Sequence, residues 1–327
     1  MKKVKIGTRG SQLALYQTNV VADFLCPRDP EDERHSQIEV EVVIIKTTGD
    51  KILDSPLSKI GDKGLFTKEI EKALLESEID CAVHSLKDLP TALPVGLEIV
   101  AFSEREDVRD ALIAQDGMKL LELPKGATLA TGSLRRRSQL LHMRSDLNLV
   151  DMRGNLNTRL RKLEEEGYAG MMLAYAGIKR LGMADKVTEI LEPDTMLPAV
   201  GQGIIAVEAR EDDGELKELL RGYNDTNSET AALAERAFLC RLEGGCQVPI
   251  GVYTSIQKKK LTGMVASLDG ETLIKDSVSF DTEDPEKTGT DLAEKLLSLG
   301  ADKILDEIRA ASNPQVAAGD RRTDIDE

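Results

Sequence analysis

The chain has no tryptophan, and aromatic residues make up only 3% of its 327 residues. Its cores must therefore be aliphatic, and the interleaved aromatics on which single-stranded nucleic acids stack are missing. Cysteine and histidine are scarce too, at four and three. Cys26, Cys81, Cys240 and Cys246 form no C-x-x-C pair and the histidines are widely spread. Neither a disulfide framework nor a metal site is expected. No apolar run approaches the roughly 18 residues of a membrane span. Lysines open the chain but no apolar stretch follows, so the expectation is a cytoplasmic protein without a signal peptide.

Positive charge is also in deficit. There are 58 acidic against 43 basic residues, a net charge of −15. That argues against a general binder of nucleic acid or anionic membrane. One segment is the exception. Between Arg135 and Lys162 lie Arg136, Arg137, Arg144, Arg153, Arg159 and Arg161. A basic concentration in an acidic chain points to a local pocket for a small polyanion. For any single residue of the run, a solvated helix face is the competing reading.

The length allows two or three domains. Val4–Thr8 reads as a strand, followed by a helix over 12–25. Residues 38–46 read as a strand, 47–66 as a mobile loop without periodicity, and Thr67 as the cap of a helix reaching about Glu78. A buried strand then covers 80–85. The alternation repeats with strands at 127–131, 147–152 and 168–174. Between them lie helices over 134–143, capped by Ser133, and from Asn157 or Thr158 to Glu166. Both halves are therefore expected to be α/β with largely parallel sheets. After Tyr223 the pattern changes to α+β. A helix capped by Ser228 runs to Leu242, strands cover 248–256, 261–268 and 272–280, and Asp269-Gly270 marks a hairpin. A last helix is expected over 290–311, and a polar, disordered tail over 313–327.

In open α/β sheets, ligands bind beyond the carboxyl ends of the strands. Arg9, Ser11, Lys87, Asp88, Thr131, Ser133, Arg135, Arg136, Arg153, Arg159 and Arg180 all fall there. Helix N-termini and arginine forks both suit carboxylates. One cleft rich in anion donors is expected, with Asp88 as its single evident acid. A buried Asp88 among arginines would stay ionised and could stabilise a cation. By spacing alone, capping a turn or pairing with Lys87 explains it equally well. Cys246 sits in Leu-Glu-Gly-Gly-Cys-Gln-Val-Pro, where the glycines permit unusual backbone angles. The motif alone leaves open a nucleophile, a buried thiol or a covalent attachment point.

Together these pieces resemble the porphobilinogen deaminase (hydroxymethylbilane synthase) family over nearly the whole chain. The resemblance rests on eight motifs in family order. They are Gly7-Thr-Arg-Gly-Ser-Gln-Leu-Ala-Leu15, Lys63-Gly-Leu-Phe66, His84-Ser-Leu-Lys-Asp-Leu-Pro90, Gly132-Ser-Leu-Arg-Arg136, Arg153-Gly-Asn155, Ala176-Gly-Ile-Lys-Arg-Leu181, Leu197-Pro-Ala-Val-Gly-Gln-Gly203 and Glu243-Gly-Gly-Cys-Gln-Val-Pro249. The resemblance implies two periplasmic-binding-protein-like α/β domains around a cleft, plus a smaller α+β domain with a three-stranded antiparallel sheet. The implied boundaries are 1–103 with 204–221, 104–203, and 222–312. It implies an enzyme that condenses four porphobilinogen molecules head to tail, releasing ammonia each time, and then frees hydroxymethylbilane by hydrolysis. Cys246 would hold a dipyrromethane cofactor through a thioether. Arg9, Ser11, Lys87, Thr131, Ser133, Arg135, Arg136 and Arg159 would bind the cofactor. Arg153 and Arg180 would act on the incoming substrate, and Asp88 would stabilise the cation left by ammonia. Lys59, Lys63 and Phe66 would belong to a loop over the cleft. The family also implies a monomer with a small-molecule substrate, no metal, and neither nucleic acid nor membrane as partner. A non-enzymatic anion-binding protein with the same two lobes is the alternative. The displayed cysteine and the third domain argue against it.

Overall fold

The computed structural model describes residues 2–27, 29, 32, 38–51, 64–242 and 248–312. Three sheets organise them. The first contains β1 (Lys2–Thr8), β2 (Ile38–Ile44), β3 (Cys81–Ser85), β4 (Leu97–Phe102) and β10 (Ile205–Arg210), in the order β2-β1-β3-β10-β4. β1 pairs in parallel with β2 from Lys2–Ile38 to Thr8–Ile44. β10 runs antiparallel to both β3 and β4.

The second sheet repeats this plan. It contains β5 (Asp110–Ala114), β6 (Thr128–Ala130), β7 (Asn148–Val150), β8 (Gly170–Ala174) and β9 (Glu189–Leu191), in the order β7-β6-β8-β5-β9. Here β5 is the reversed strand, between β8 and β9. In each lobe the reversed strand is the one reached from the other lobe, so two crossovers join them. Both sheets are thus largely parallel, as expected, with one strand inverted. β4, β5 and β9 carry no periodic signature of their own and escaped the sequence reading. β5 and most of β10 are buried along their length, because helices cover both faces.

Helices start at the carboxyl ends of the strands. α1 (Gln12–Leu25) follows β1 and packs Val21 and Leu25 against Val4, Ile6 and Val207. α2 (Lys68–Leu75) puts Ile70 and Leu74 on the opposite face of the same sheet. α3 (Leu134–Met143) and α4 (Leu156–Glu165) follow β6 and β7, and α5 (Tyr175–Arg180) follows β8. Three start signals differ from expectation. Thr67 makes no side-chain cap. Asn155, rather than Asn157 or Thr158, caps α4 by accepting from Thr158 N. Asp225, rather than Ser228, caps the first helix of the third unit. In the last two cases the capping side chain sits three residues before the N–H it satisfies, and the expected cap is a residue or two inside the helix.

The third unit packs β11 (Ile250–Ser255), β12 (Lys260–Ala266) and β13 (Leu273–Ser279) as an antiparallel sheet. α7 (Thr226–Arg241) and α8 (Pro285–Leu296) cover it, with Phe238, Leu261, Val265 and Leu292 fully buried between them; α6 (Gly214–Leu220) precedes them on the first lobe. Gly289 lets α7 and α8 touch, since an added Cβ would run into the Ala234 carbonyl oxygen. The expected single helix over 290–311 is two, because Gly300 at φ 102° breaks the run before α9 (Asp302–Ser312). The expected tail over 313–327 lies outside the described residues.

Candidate functional site

The carboxyl ends of β1 and β3 meet the N-termini of α1 and α2 at a small cavity of about 60 Å³. Arg9, Ser11, Gln17, Phe66, Thr67, His84, Ser85 and Asp88 are among its lining residues. Ser11 caps α1 by accepting from Ala14 N at 3.2 Å. Arg9 is already engaged. Its Nε and Nη2 donate to Asp50, with the shortest contact 2.5 Å, and its guanidinium lies 4.1 Å over the Phe66 ring. Thr47 also donates to Asp50, so the single helical turn at Thr48–Lys51 holds the carboxylate in place. The part of the expected mobile loop that includes Lys59 and Lys63 lies outside the described residues.

Lys87 and Asp88 sit in one turn of 3₁₀ helix directly after β3. Asp88 is exposed, not buried as the sequence suggested. The short helix ends there and turns the side chain outward into the cleft. Lys87 is half-buried and makes no ion pair among the described residues. Desolvation pushes its ammonium down to about 8, against the pull of Asp88. Arg159, near the start of α4, behaves alike. Loss of solvent, then repulsion from Arg136, bring it down to about 10, and its Nε donates to the Gly154 carbonyl at 2.8 Å. Asp88 acts electrostatically on both groups, and Arg153 on Arg159, which places these residues around one space.

Arg135 and Arg136 are placed otherwise. Both are buried in the first turn of α3 and turn toward Asp110, at the start of β5. Arg135 Nη1 reaches Asp110 at 2.6 Å, and Arg136 Nη2 at 2.7 Å. Gln202 Nε2 adds a third donor at 3.0 Å. Burial alone would raise the Asp110 pKa, but the two guanidiniums outweigh it and hold the carboxyl well below the carboxylate range. Asp110 is therefore a second acid near the cleft, and the expectation of a single acid is corrected. No motif announced it, because it opens a strand that has no sequence signature. Arg135 keeps one buried donor, Nε, without a partner among the described residues. Thr131 is buried, and its Oγ1 accepts from Ser133 N at 3.3 Å, while Ser133 Oγ caps α3 through Arg136 N.

Arg180 lies at the returning crossover. Its Nη2 donates to Gly203 O at 2.6 Å, joining α5 of the second lobe to the returning crossover. Glu235 of α7 binds both crossovers. It accepts Arg105 Nη1 and Nη2 at 2.6 and 3.0 Å, Gly201 N at 2.8 Å and Thr254 N at 3.0 Å. Sequence reading missed Asp50, Asp110, Gln202 and Glu235. All four act through partners distant in sequence. Cys246 lies outside the described residues.

The donor set fits a group bearing several carboxylates. Lys87 and Arg159 are desolvated cations without a carboxylate partner among the described residues, and α1, α3 and α4 each begin just after a strand end, of β1, β6 and β7. No group of three or more His, Cys, Asp or Glu is arranged to hold a metal among the described residues. No described helix is long and apolar enough to cross a membrane.

Comparison with known proteins bears on the same residues. Residues 4–218 match the family model "Porphobilinogen deaminase, dipyromethane cofactor binding domain", and residues 230–298 match "Porphobilinogen deaminase, C-terminal domain". The porphobilinogen deaminase of Carboxydothermus hydrogenoformans is 54% identical over 95% of this chain and 99% of that one. That of Chlorobaculum parvum is 52% identical over 94% and 98%. Among solved structures, an arginine-specific periplasmic binding protein of Salmonella typhimurium aligns with 70% of this chain and 94% of that one, at 13% identity and a TM-score of 0.38. With both family models matched and half of all residues identical over nearly full length, the chain belongs to the porphobilinogen deaminase family.

Proposed function

We propose that the cleft between the two lobes carries out the activity for which the family is named. Four porphobilinogen molecules are joined head to tail, each with loss of ammonia, and hydroxymethylbilane is released by hydrolysis. The observation that carries the assignment of residues is the pair of desolvated cations, Lys87 and Arg159, without a carboxylate ion pair among the described residues, beside the exposed carboxylate of Asp88. Every porphobilinogen brings an acetate and a propionate. Desolvated cations bind such groups more strongly than solvated ones.

When bound, the dipyrromethane supplies the pyrrole ring on which condensation begins. Cys246 holds it through a thioether. Lys87, Arg159, Ser11, Thr131, Ser133, Arg135 and Arg136 form the surroundings of its carboxylates. Arg135 and Arg136 act through their charge, because both guanidiniums are turned to Asp110. Arg9 joins this set when it leaves Asp50. Arg153 and Arg180 orient the incoming substrate, Arg180 from beside the returning crossover. Asp88 stabilises the positive charge that the substrate gains as ammonia leaves, an electrostatic task suited to an ionised carboxylate aimed into the cleft. Lys59, Lys63 and Phe66 exclude water from it. The domains divide at 103/104, 203/204 and 221/222, and the protein works as a cytoplasmic monomer without nucleic-acid or membrane partners.

The experiment is intact mass spectrometry with a digest. A two-pyrrole adduct on the Cys246 peptide, together with porphobilinogen turnover, is expected. An unmodified Cys246 that stays unmodified after incubation with porphobilinogen or preformed tetrapyrrole rules the assignment out.

A further inference from the structure

Behind the cavity, on the α2 face of the first sheet, lies a polar cluster that the proposed roles do not use. His84 Nε2 is 2.9 Å from Glu208 Oε2, and Glu71 approaches both from α2. His84 and Glu71 are 6% and 7% exposed, Thr67 1% and Glu208 0%. Three oxygens here have no hydrogen-bond partner among the described residues: Thr67 Oγ1, Glu71 Oε1 and Glu208 Oε1. The pairing register of β10 shifts between Val207 and Glu208, which re-aims the Glu208 side chain. Two buried carboxylates and one imidazole cannot all keep their charges without cost, and unmatched oxygens call for a proton or a water.

The other charged and polar groups around the cluster are few. Lys68 of α2 favours the Glu71 anion by its charge. Arg236 of α7 acts on Glu208 but donates to the carbonyls of Pro90 and Thr91. Burial, and then the neighbouring Glu208, nevertheless raise the Glu71 pKa. His84 and Thr67 line the same cavity as Asp88, and at about 60 Å³ it has room for water.

We propose that Glu71, Glu208 and His84 hold protons for the cleft. In each coupling the ring carbon under attack loses its proton once the new carbon–carbon bond has formed, and ammonia departs from the substrate. The proton passes through cavity water to His84 and Glu208 and then returns to the ammonia lone pair, giving ammonium. The cluster ends each cycle as it began, so it serves all four couplings. This inference rests on the placement of the chemistry beside Asp88.

The test uses the loaded full-length enzyme. Porphobilinogen consumption is followed against pH for the parent, His84→Gln and Glu208→Gln, and the histidine ring carbons are titrated by NMR. Only three histidines are present, so His35→Gln and His142→Gln complete the assignment. In the parent, the acid-side fall of kcat and the His84 titration share one midpoint. Glu208→Gln lowers kcat at least tenfold, leaves KM within twofold, and moves the acid limb of kcat and the His84 ring signal together to lower pH, because the imidazolium loses its anion. A structural pair would lower rate and stability without moving the acid limb. That result, or a His84 ring that does not titrate between about pH 5 and 9 in the parent, overturns the proposal whether or not Glu208→Gln folds. Full turnover by Asp88→Asn would instead remove the placement on which the inference rests, with the His84 titration unaffected.

Discussion

Replacing Asp110 with asparagine is the sharpest test of how the cleft is built. The carboxylate is fully buried and neutralises two buried guanidiniums, with Gln202 as a third donor. Asparagine keeps the shape and one acceptor, but leaves Arg135 and Arg136 as adjacent buried cations without an anion. Removing one partner of a buried ion pair costs about 3–5 kcal/mol. At roughly 2–4 °C per kcal/mol for a chain of a few hundred residues, the melting temperature should fall by at least ~6 °C. The sign with pH follows from the depressed pKa. The carboxylate contributes stability that is fully present above its unfolded value of about 3.9 and is lost as pH falls toward the lower folded value. The variant should therefore lose less stability than the parent on acidification below about pH 4. Scanning calorimetry across pH, at low and high salt, measures this. Salt should matter little, because the charges are buried. A melting point within about 2 °C of the parent would refute the reasoning and mean that the guanidiniums have another anion or water at hand.

Three further outcomes are expected. Asp88→Asn should leave the melting temperature within about 1 °C, because the side chain is exposed, while most steady-state turnover is lost; near-normal turnover would count against its assigned role. In the protein without its cofactor Lys87 loses its charge as pH rises through about 8, so uptake of preformed tetrapyrrole by the apoprotein should weaken above that pH, and Lys87→Arg should flatten the fall. Gly289→Val should destabilise the third unit by about 1–3 kcal/mol or more, read as an early melting transition, because the added carbon meets the Ala234 backbone rather than a movable side chain.

Much of the plan was legible because local signals agree with it. β2, β3 and β8 carry apolar runs, β1 alternates Val4 and Ile6 with lysines, and Ser133 announces its helix by a cap that the structure forms. The rule that ligands bind beyond strand ends singles out Arg9, Ser11, Lys87 and Asp88, and the structure places them just past β1 and β3. The run after Gly203 reads as a strand over 204–208 and forms β10, but neither β5 nor the reversal of the two strands was legible. β5 and β10 are inserted between strands from other parts of the chain, and no local pattern encodes which neighbours a strand receives. The charge arrangement was hidden for the same reason. Arg135 and Arg136 look like free cations in sequence, and only the fold brings Asp110 to them across 25 residues. Likewise His84 reads as part of a motif, while its partner Glu208 is 124 residues away.

The inverted strand in each sheet also fixes an order of events during synthesis. The second sheet draws all five strands from residues 110 to 191, so it can close once that stretch has left the ribosome. The first sheet begins at Lys2 but keeps a gap between β3 and β4 until Ile205–Arg210 arrives. The lobe that is translated first is therefore completed last. Until then β3 and β4 present unpaired backbone edges, the kind of surface on which chains pair wrongly with one another. Slowing translation between residues 102 and 205 would lengthen that exposure, whereas slowing it after 210 would not.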